Sequence, residues 1–175
     1  MPDLVYTTLD ITNEKDIVEY ERAMFRAFQN TEIITLPEIW EYDRKAKRLR
    51  TKIPYRNQII YIARLFDAIV AGTAINYNMH EPLQLEMIGF SIDKSDEHIC
   101  EGLGVFCLQV FHETIPIGIQ LKDYAFAQIA QKGIKTMYGT CSPKKLPGYV
   151  QLKFEVIDER VFKGEKKYLL KKALP

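Results

Sequence analysis

Residues 112–134, HETIPIGIQLKDYAFAQIAQKGI, place one Pro and one Gly just before a helical pattern that closes on a second Gly. A helix start leaves its first backbone N–H groups without intrahelical partners and carries the positive end of the macrodipole, which is the chemistry of an anion seat. Here the N–H groups of Ile117, Gly118, Ile119, Gln120 and Leu121 would point out of the helix, and the Lys122 ammonium would add charge. A plain strand-to-helix turn that uses Gly for its backbone angles would carry the same letters. Groups able to move protons stand nearby in the chain. Glu101 and Glu86 are carboxylates on neighbouring strand patterns, His112 is an imidazole able to act as acid or base, and Tyr149 is a phenol able to donate a proton or a hydrogen bond.

Charge and composition narrow the partners. The 175 residues are 47% apolar and 27% charged with a formal charge of +1, the balance of one globular domain spanning 1–175. That charge supplies no overall drive toward nucleic acid or membrane. The exception is local: RKAKRLRTK, Arg44 to Lys52, holds six positive charges, either a solvated face whose stems cover apolar surface or a docking site for an acidic partner. The three cysteines (Cys100, Cys107, Cys141) and three histidines lack metal-ligand spacing, so reduced thiols and no metal are expected. Without a signal-peptide layout or a bilayer-length apolar run, the chain is expected to be cytoplasmic.

The elements that must position these groups follow from periodicity. ITNEKDIVEYERAMFRAFQN repeats its apolar residues at helical spacing, with Asn13 or Thr12 as N-cap. TLPEIWEYDRKAKRLR shows Thr35 and Glu38 in capping-box spacing around Pro37, which predicts a second helix ending in the basic cluster. IIYIARLF and IVAGTAINYN predict a hairpin broken at 66–68. LQLEMIGFSI and GVFCLQVF are further strand candidates across the polar linker DKSDEHICEG. A helix from Leu121 to Lys132 closed by Gly133, a strand KTMYGTC, a helix of about two turns in SPKKLPGYVQLK, and the strands FEVI and KKYLLKKAL, joined by the loop DERVFKGE, complete the order.

Taken together, Gln58 to Leu174 resembles the GNAT superfamily of N-acetyltransferases. YIARLFDAIVAGTAINY looks like the family's central hairpin, with Asp67, Ala68 and Gly72 in the turn and following strand. Gly118 takes the last position of the acyl-CoA loop motif, R/Q-x-x-G-x-G/A, and the helix reaches Gly133 after the usual interval. LPGYVQLKFEVI resembles the closing "lYeklGFe", with Tyr149, Leu152, Phe154 and Glu155 in register and Ser142 where many members carry Asn. Three positions depart: Glu113 stands for R/Q, Pro116 for the first Gly, and Lys153 for the Gly of the closing motif.

The resemblance implies an α/β (α+β) fold, a central mixed, mostly antiparallel twisted sheet with a splayed strand pair and helices on both faces. Residues 1–57 are then N-terminal helices shaping the acceptor site. It further implies transfer of an acetyl or other acyl group from acyl-CoA to a small-molecule or peptide amine by direct attack in a ternary complex. In that scheme Tyr149 is the general acid, Glu101 the candidate base, and Ser142 positions a water or the pantetheine amide. A bulge in the strand running to Phe111 polarises the thioester carbonyl. Two alternatives stand beside it: an acyltransferase fed by acyl carrier protein, resembling autoinducer or N-acyl amino acid synthases and docked through Arg44 to Lys52, and a non-catalytic binding module. Members of the family also commonly form homodimers.

Overall fold

The structure, a computed structural model, describes residues 4–30, 37–108 and 116–175. A seven-stranded sheet runs in the order β1-β4-β5-β6-β7-β9-β8, and every neighbouring pair is antiparallel except β6 with β7. Its strands are β1 (Leu4–Thr8), β4 (Gln58–Leu65), β5 (Ala68–Asn76), β6 (Ile99–Cys107), β7 (Thr136–Cys141), β8 (Glu155–Phe162) and β9 (Glu165–Ala173). β2 (Trp40–Asp43) and β3 (Arg48–Thr51) form a separate hairpin. The helices are α1 (Glu14–Phe28), α2 (Gln84–Met87), α3 (Ile117–Gln131) and α4 (Leu146–Gln151).

Alternation along the central strands buries both faces of the sheet. Ile60, Ile62, Ile69 and Phe106 turn to the side holding α1 and the β2–β3 hairpin, where they meet Tyr20, Met24, Phe28 and Trp40. Tyr61, Ala63, Val70 and Cys100 turn to the other, against Ile117, Leu121, Ala125 and Ile129 of α3. α1 starts where the Asn13 side chain accepts the Lys15 N–H at 3.0 Å. The β4–β5 turn is the two-residue Phe66–Asp67, both at positive φ, matching the twist of the strands it joins.

Several expectations are corrected. Residues 40–51 form the β2–β3 hairpin and not a helix, and Thr35 of the expected capping box lies outside the described residues. Burial alternates with period two, Trp40 and Tyr42 inward against Glu41 and Asp43 outward, and Asp43 turns the chain by accepting the Ala46 N–H at 2.8 Å. The N-terminal part therefore holds one described α-helix, α1, and a single 3-10 turn at Tyr55–Asn57, together with β1, which the periodicity did not indicate. The segment LQLEMIGFSI contains the single turn α2 and no strand. Its first amides are captured by carboxylates: Leu83 N–H by Glu86 at 2.8 Å, and Gln84 and Leu85 N–H by Glu101 at 3.1 and 2.7 Å. β6 begins inside the expected linker, at Ile99. The expected loop DERVFKGE is mostly strand, with β8 running to Phe162 and a tight Lys163–Gly164 turn, both residues at positive φ.

Lys153, in place of the family's Gly, still adopts the left-handed conformation at φ 61°. Its N–H bonds Val150 O at 2.9 Å while Phe154 N–H bonds Tyr149 O at 3.0 Å, which is the Schellman closure of α4. A side chain there costs about 1–2 kcal/mol relative to glycine, and the turn is kept regardless.

Candidate acyl-transfer site

β6 and β7 share only three parallel pairs, Ile99–Thr136, Cys100–Met137 and Glu101–Tyr138. Beyond that point β6 stays on β5 as far as Cys107, and the Leu108 N–H still reaches Val70 O at 2.9 Å, whereas β7 turns away along β9. The two strands splay, leaving the β7-facing edge of residues 102–107 without a neighbouring strand among the described residues. The β5 register shifts at this position, with Ile75 opposite Gly102 and Ala74 opposite Gly104, so Leu103 is the extra residue of a bulge. The bulge thus lies early in the strand that was expected to run to Phe111, and Phe111 itself is outside the described residues. Glycines surround the vertex: Gly102 and Gly104 on β6, and Gly139, where a Cβ would lie 3.7 Å from Gly102 O.

At the open end of the splay α3 begins with Pro116 as N-cap. Of the five expected N–H groups, Gln120's is already bonded to Pro116 O at 3.0 Å, and Leu121 lies far enough into the helix for its own to bond the first turn. The Gly118 N–H meets the Cys107 thiol, which burial pushes up and this contact lowers, so the groups left without a partner among the described residues are those of Ile117 and Ile119. The side chains of Ile117 and Leu121 are fully buried in the core, while Ile119 is exposed. The Gln120 side chain accepts the Tyr6 hydroxyl at 2.5 Å, and Lys122 pairs with Asp123 at 3.0 Å. Gly118 sits inside a helical turn without positive φ, and a Cβ there would stand 3.8 Å from Cys107 Cβ, an ordinary contact. Neither backbone angles nor internal packing demand glycine at 118, which corrects the plain-turn explanation.

Glu101, the last β6 residue paired with β7, is 1% exposed. Besides the α2 amides it accepts the Asn76 side-chain N–H at 3.1 Å. Burial pushes its carboxyl up to about 7, outweighing the bonds from Leu85, Asn76 and Gln84 that favour the anion. Glu86 is on α2, not on a strand, and is tied to Lys94 at 2.9 Å and to the Leu83 N–H. On the opposite face, half-buried Tyr149 of α4 stands edge-on to Phe154 at 5.3 Å. Burial, with the nearby Cys141 thiol, pushes the phenol up to about 12. Ser142 follows β7 directly, its carbonyl accepting the Lys145 N–H at 3.0 Å; α4 has Lys145 as N-cap and no side-chain cap, so Ser142 does not cap it. His112 and Glu113 are outside the described residues.

The structure therefore places Glu101 at the vertex on the α1 face, Tyr149 on the α3–α4 face, and Ser142 in the turn between β7 and α4. Asn76 and Gln84, which hold Glu101 and the bulge through the Gln84 Nε2 bond to Leu103 O at 2.8 Å, were missed. Gly102 and Gly104 inside an apolar strand were the available signal, since glycine in a strand marks a bulge or a close approach. Among the described residues no cluster of His, Cys, Asp and Glu could hold a metal ion.

The basic segment lies along the hairpin. Arg48 Nε bonds the buried Glu21 at 2.5 Å, Arg50 pairs with Glu41, and Arg44 stacks on Tyr42 at 5.3 Å. Lys45 and Lys47 project from the tip, exposed.

No family model matches the chain, and no curated protein matches it by sequence. Solved structures do match. The CoA-dependent acyl-homoserine lactone synthase BjaI, in a structure with SAM and isopentyl-CoA, superposes with TM-score 0.73 at 12% identity, covering 100% of this chain and 84% of that one. The acyl-homoserine lactone synthase LasI gives 0.74 at 10% identity, covering 100% and 92%. An acetyltransferase of the GNAT family from Streptococcus pneumoniae gives 0.67 at 15% identity, covering 99% and 100%.

Proposed function

We propose that this chain, which has the GNAT-like acyltransferase fold of those structures, moves an acyl group from acyl-CoA to an amine by direct attack. One observation carries the reading: β6 leaves β7 after Glu101 while remaining on β5. A bare strand edge pairs with the amides of an extended arm as it would with another strand, and pantetheine is such an arm. The Leu103 bulge and the glycines around it let a thioester approach the backbone, and the first-turn amides of α3 lie at the open end for the phosphates.

Within this reading the donor lies on the α3–α4 face and the amine arrives from the α1 face. Glu101, with its carboxyl near neutrality, takes the proton from the amine directly or through one water. Tyr149, protonated at neutral pH, donates to the departing thiolate, and Ser142 orients the arm beside it.

Gly118→Ala tests the donor site. Alanine is the better helix residue by about 1 kcal/mol and fits the space beside Cys107, so the variant is expected to melt at or above the wild-type temperature. Its methyl group blocks the approach of a phosphate to the α3 amides, so the melting shift produced by acetyl-CoA should shrink. An unchanged shift, or none in the wild type, would sink the reading.

The carrier-protein reading keeps support from the exposed Lys45 and Lys47 at the hairpin tip. Changing both to Glu should weaken transfer from an acylated carrier protein and leave transfer from acyl-CoA unaltered. Equal effects on the two donors would remove this alternative.

A further inference from the structure

We propose that the indole of Trp40 floors the acyl end of the β6–β7 gap and restricts the donor to short acyl groups of about two or three carbons; the inference rests on the transferase reading above. Three glycines, Gly102, Gly104 and Gly139, keep side chains out of the vertex. What faces Gly104 instead is Trp40, reaching across from β2: a Cβ built at Gly104 would lie 3.2 Å from Trp40 Cη2 and 3.8 Å from Cζ2. Behind the indole the α1 face is lined by aromatic rings. Phe28 lies 6.3 Å from Trp40 and 6.4 Å from Phe106, ring centre to ring centre, and Phe106 with Tyr20 presses on β5 so closely that a Cβ at Gly72 would fall 2.8 Å from Phe106 Cε1. An acyl chain passing the vertex toward α1 meets this aromatic wall after a few carbons.

A second, independent feature points to a ligand. Trp40 is 3% exposed, and its Nε1 has no hydrogen-bond partner among the described residues. Buried indole N–H groups ordinarily find an acceptor. Cζ2, next to the ring carbon that carries Nε1, faces Gly104, which puts this donor beside β6 on the floor's side, where a bound acyl carbonyl would supply an acceptor that no described residue provides.

Trp40 is the only tryptophan in the chain, so its emission reports on this floor in the unaltered protein. Acetyl-CoA should change the emission, and free CoA, which should stabilise against heat but carries no acyl group, should leave it nearly constant. Hexanoyl-CoA should bind at least about tenfold more weakly than acetyl-CoA. Trp40→Leu should bring the two affinities together, and Trp40→Phe should keep the preference. The proposal is overturned if hexanoyl-CoA binds as tightly as acetyl-CoA, or if emission stays silent while acetyl-CoA raises the melting temperature. It is equally overturned if a folded Trp40→Leu variant keeps the wild-type preference. Should that variant not fold, the wild-type emission and chain-length series decide. A protein that binds no CoA species by either readout loses the transferase reading as well, a result distinct from binding without chain-length preference.

Discussion

Glu101→Gln is expected to lower the rate of acyl transfer by about 10²–10⁴-fold, the usual weight of a positioned general base. The carboxylate takes two α2 amides and the Asn76 side chain, so a carboxamide, with only one accepting oxygen, serves the site poorly as well as losing the base. Wild-type kcat/KM should rise as pH increases through about 7, where the carboxyl releases its proton, and level off above. The variant should lose that limb. Retention of the limb together with activity within about tenfold of wild type would remove Glu101 from the mechanism.

The same group leaves a mark on stability. Its folded value is raised from 4.5 to about 7, so between those two pH values the native state keeps a proton that the unfolded chain has released. Its contribution is fully present below pH 4.5 and is lost as pH rises toward 7. Denaturant midpoints measured across that window should fall with rising pH in the wild type, and more gently in Glu101→Gln.

Glu21→Ala is expected to be the most destabilising single change in the N-terminal half. Glu21 is 1% exposed and accepts Arg48 Nε at 2.5 Å and the Tyr55 hydroxyl at 2.6 Å. These bonds tie the β2–β3 hairpin to α1. Removing one partner of a buried pair costs about 3–5 kcal/mol, and because the Arg48 side chain is 33% exposed the loss belongs at the lower end. At about 2–4 °C per kcal/mol for a chain of this size, the melting temperature should drop by roughly 6–12 °C. Replacing the pair together, Glu21→Leu with Arg48→Met, should recover most of the loss, since two apolar groups leave no charge stranded. A Glu21→Ala protein melting within about 2 °C of wild type would show that the hairpin is held by its apolar contacts alone.

Local patterns were readable in the chain where local physics decides. α1, α3, α4, β7 and the β4–β5 hairpin follow from periodicity, the Asn13 cap and the turn residues. Residues 35–50 carry helix-start letters, yet packing of Trp40 and Leu49 onto α1 overrides them, and α2 forms where Glu101, distant in sequence, takes its amides. Within the candidate site, Glu101, Tyr149 and Gly118 could be singled out by residue type and register. The burial that raises Glu101, the indole beneath Gly104 and the early use of the Gln120 N–H all depend on contacts between segments far apart in the chain, which no spacing rule reports.

The short β6–β7 ladder also sets how the molecule comes apart. Among the described residues only three pairs of strand residues join β1-β4-β5-β6 to β7-β9-β8, against eight between β4 and β5. This seam is the shortest ladder of the sheet and is otherwise held by the two cores that span it, so the amides of Ile99 to Glu101 are expected to exchange faster than those of β4 and β5. On the transferase reading, an arm lying along that edge of β6 adds pairing beside the seam, so a bound ligand is expected to slow hydrogen exchange at Ile99 to Glu101 more than elsewhere in the sheet.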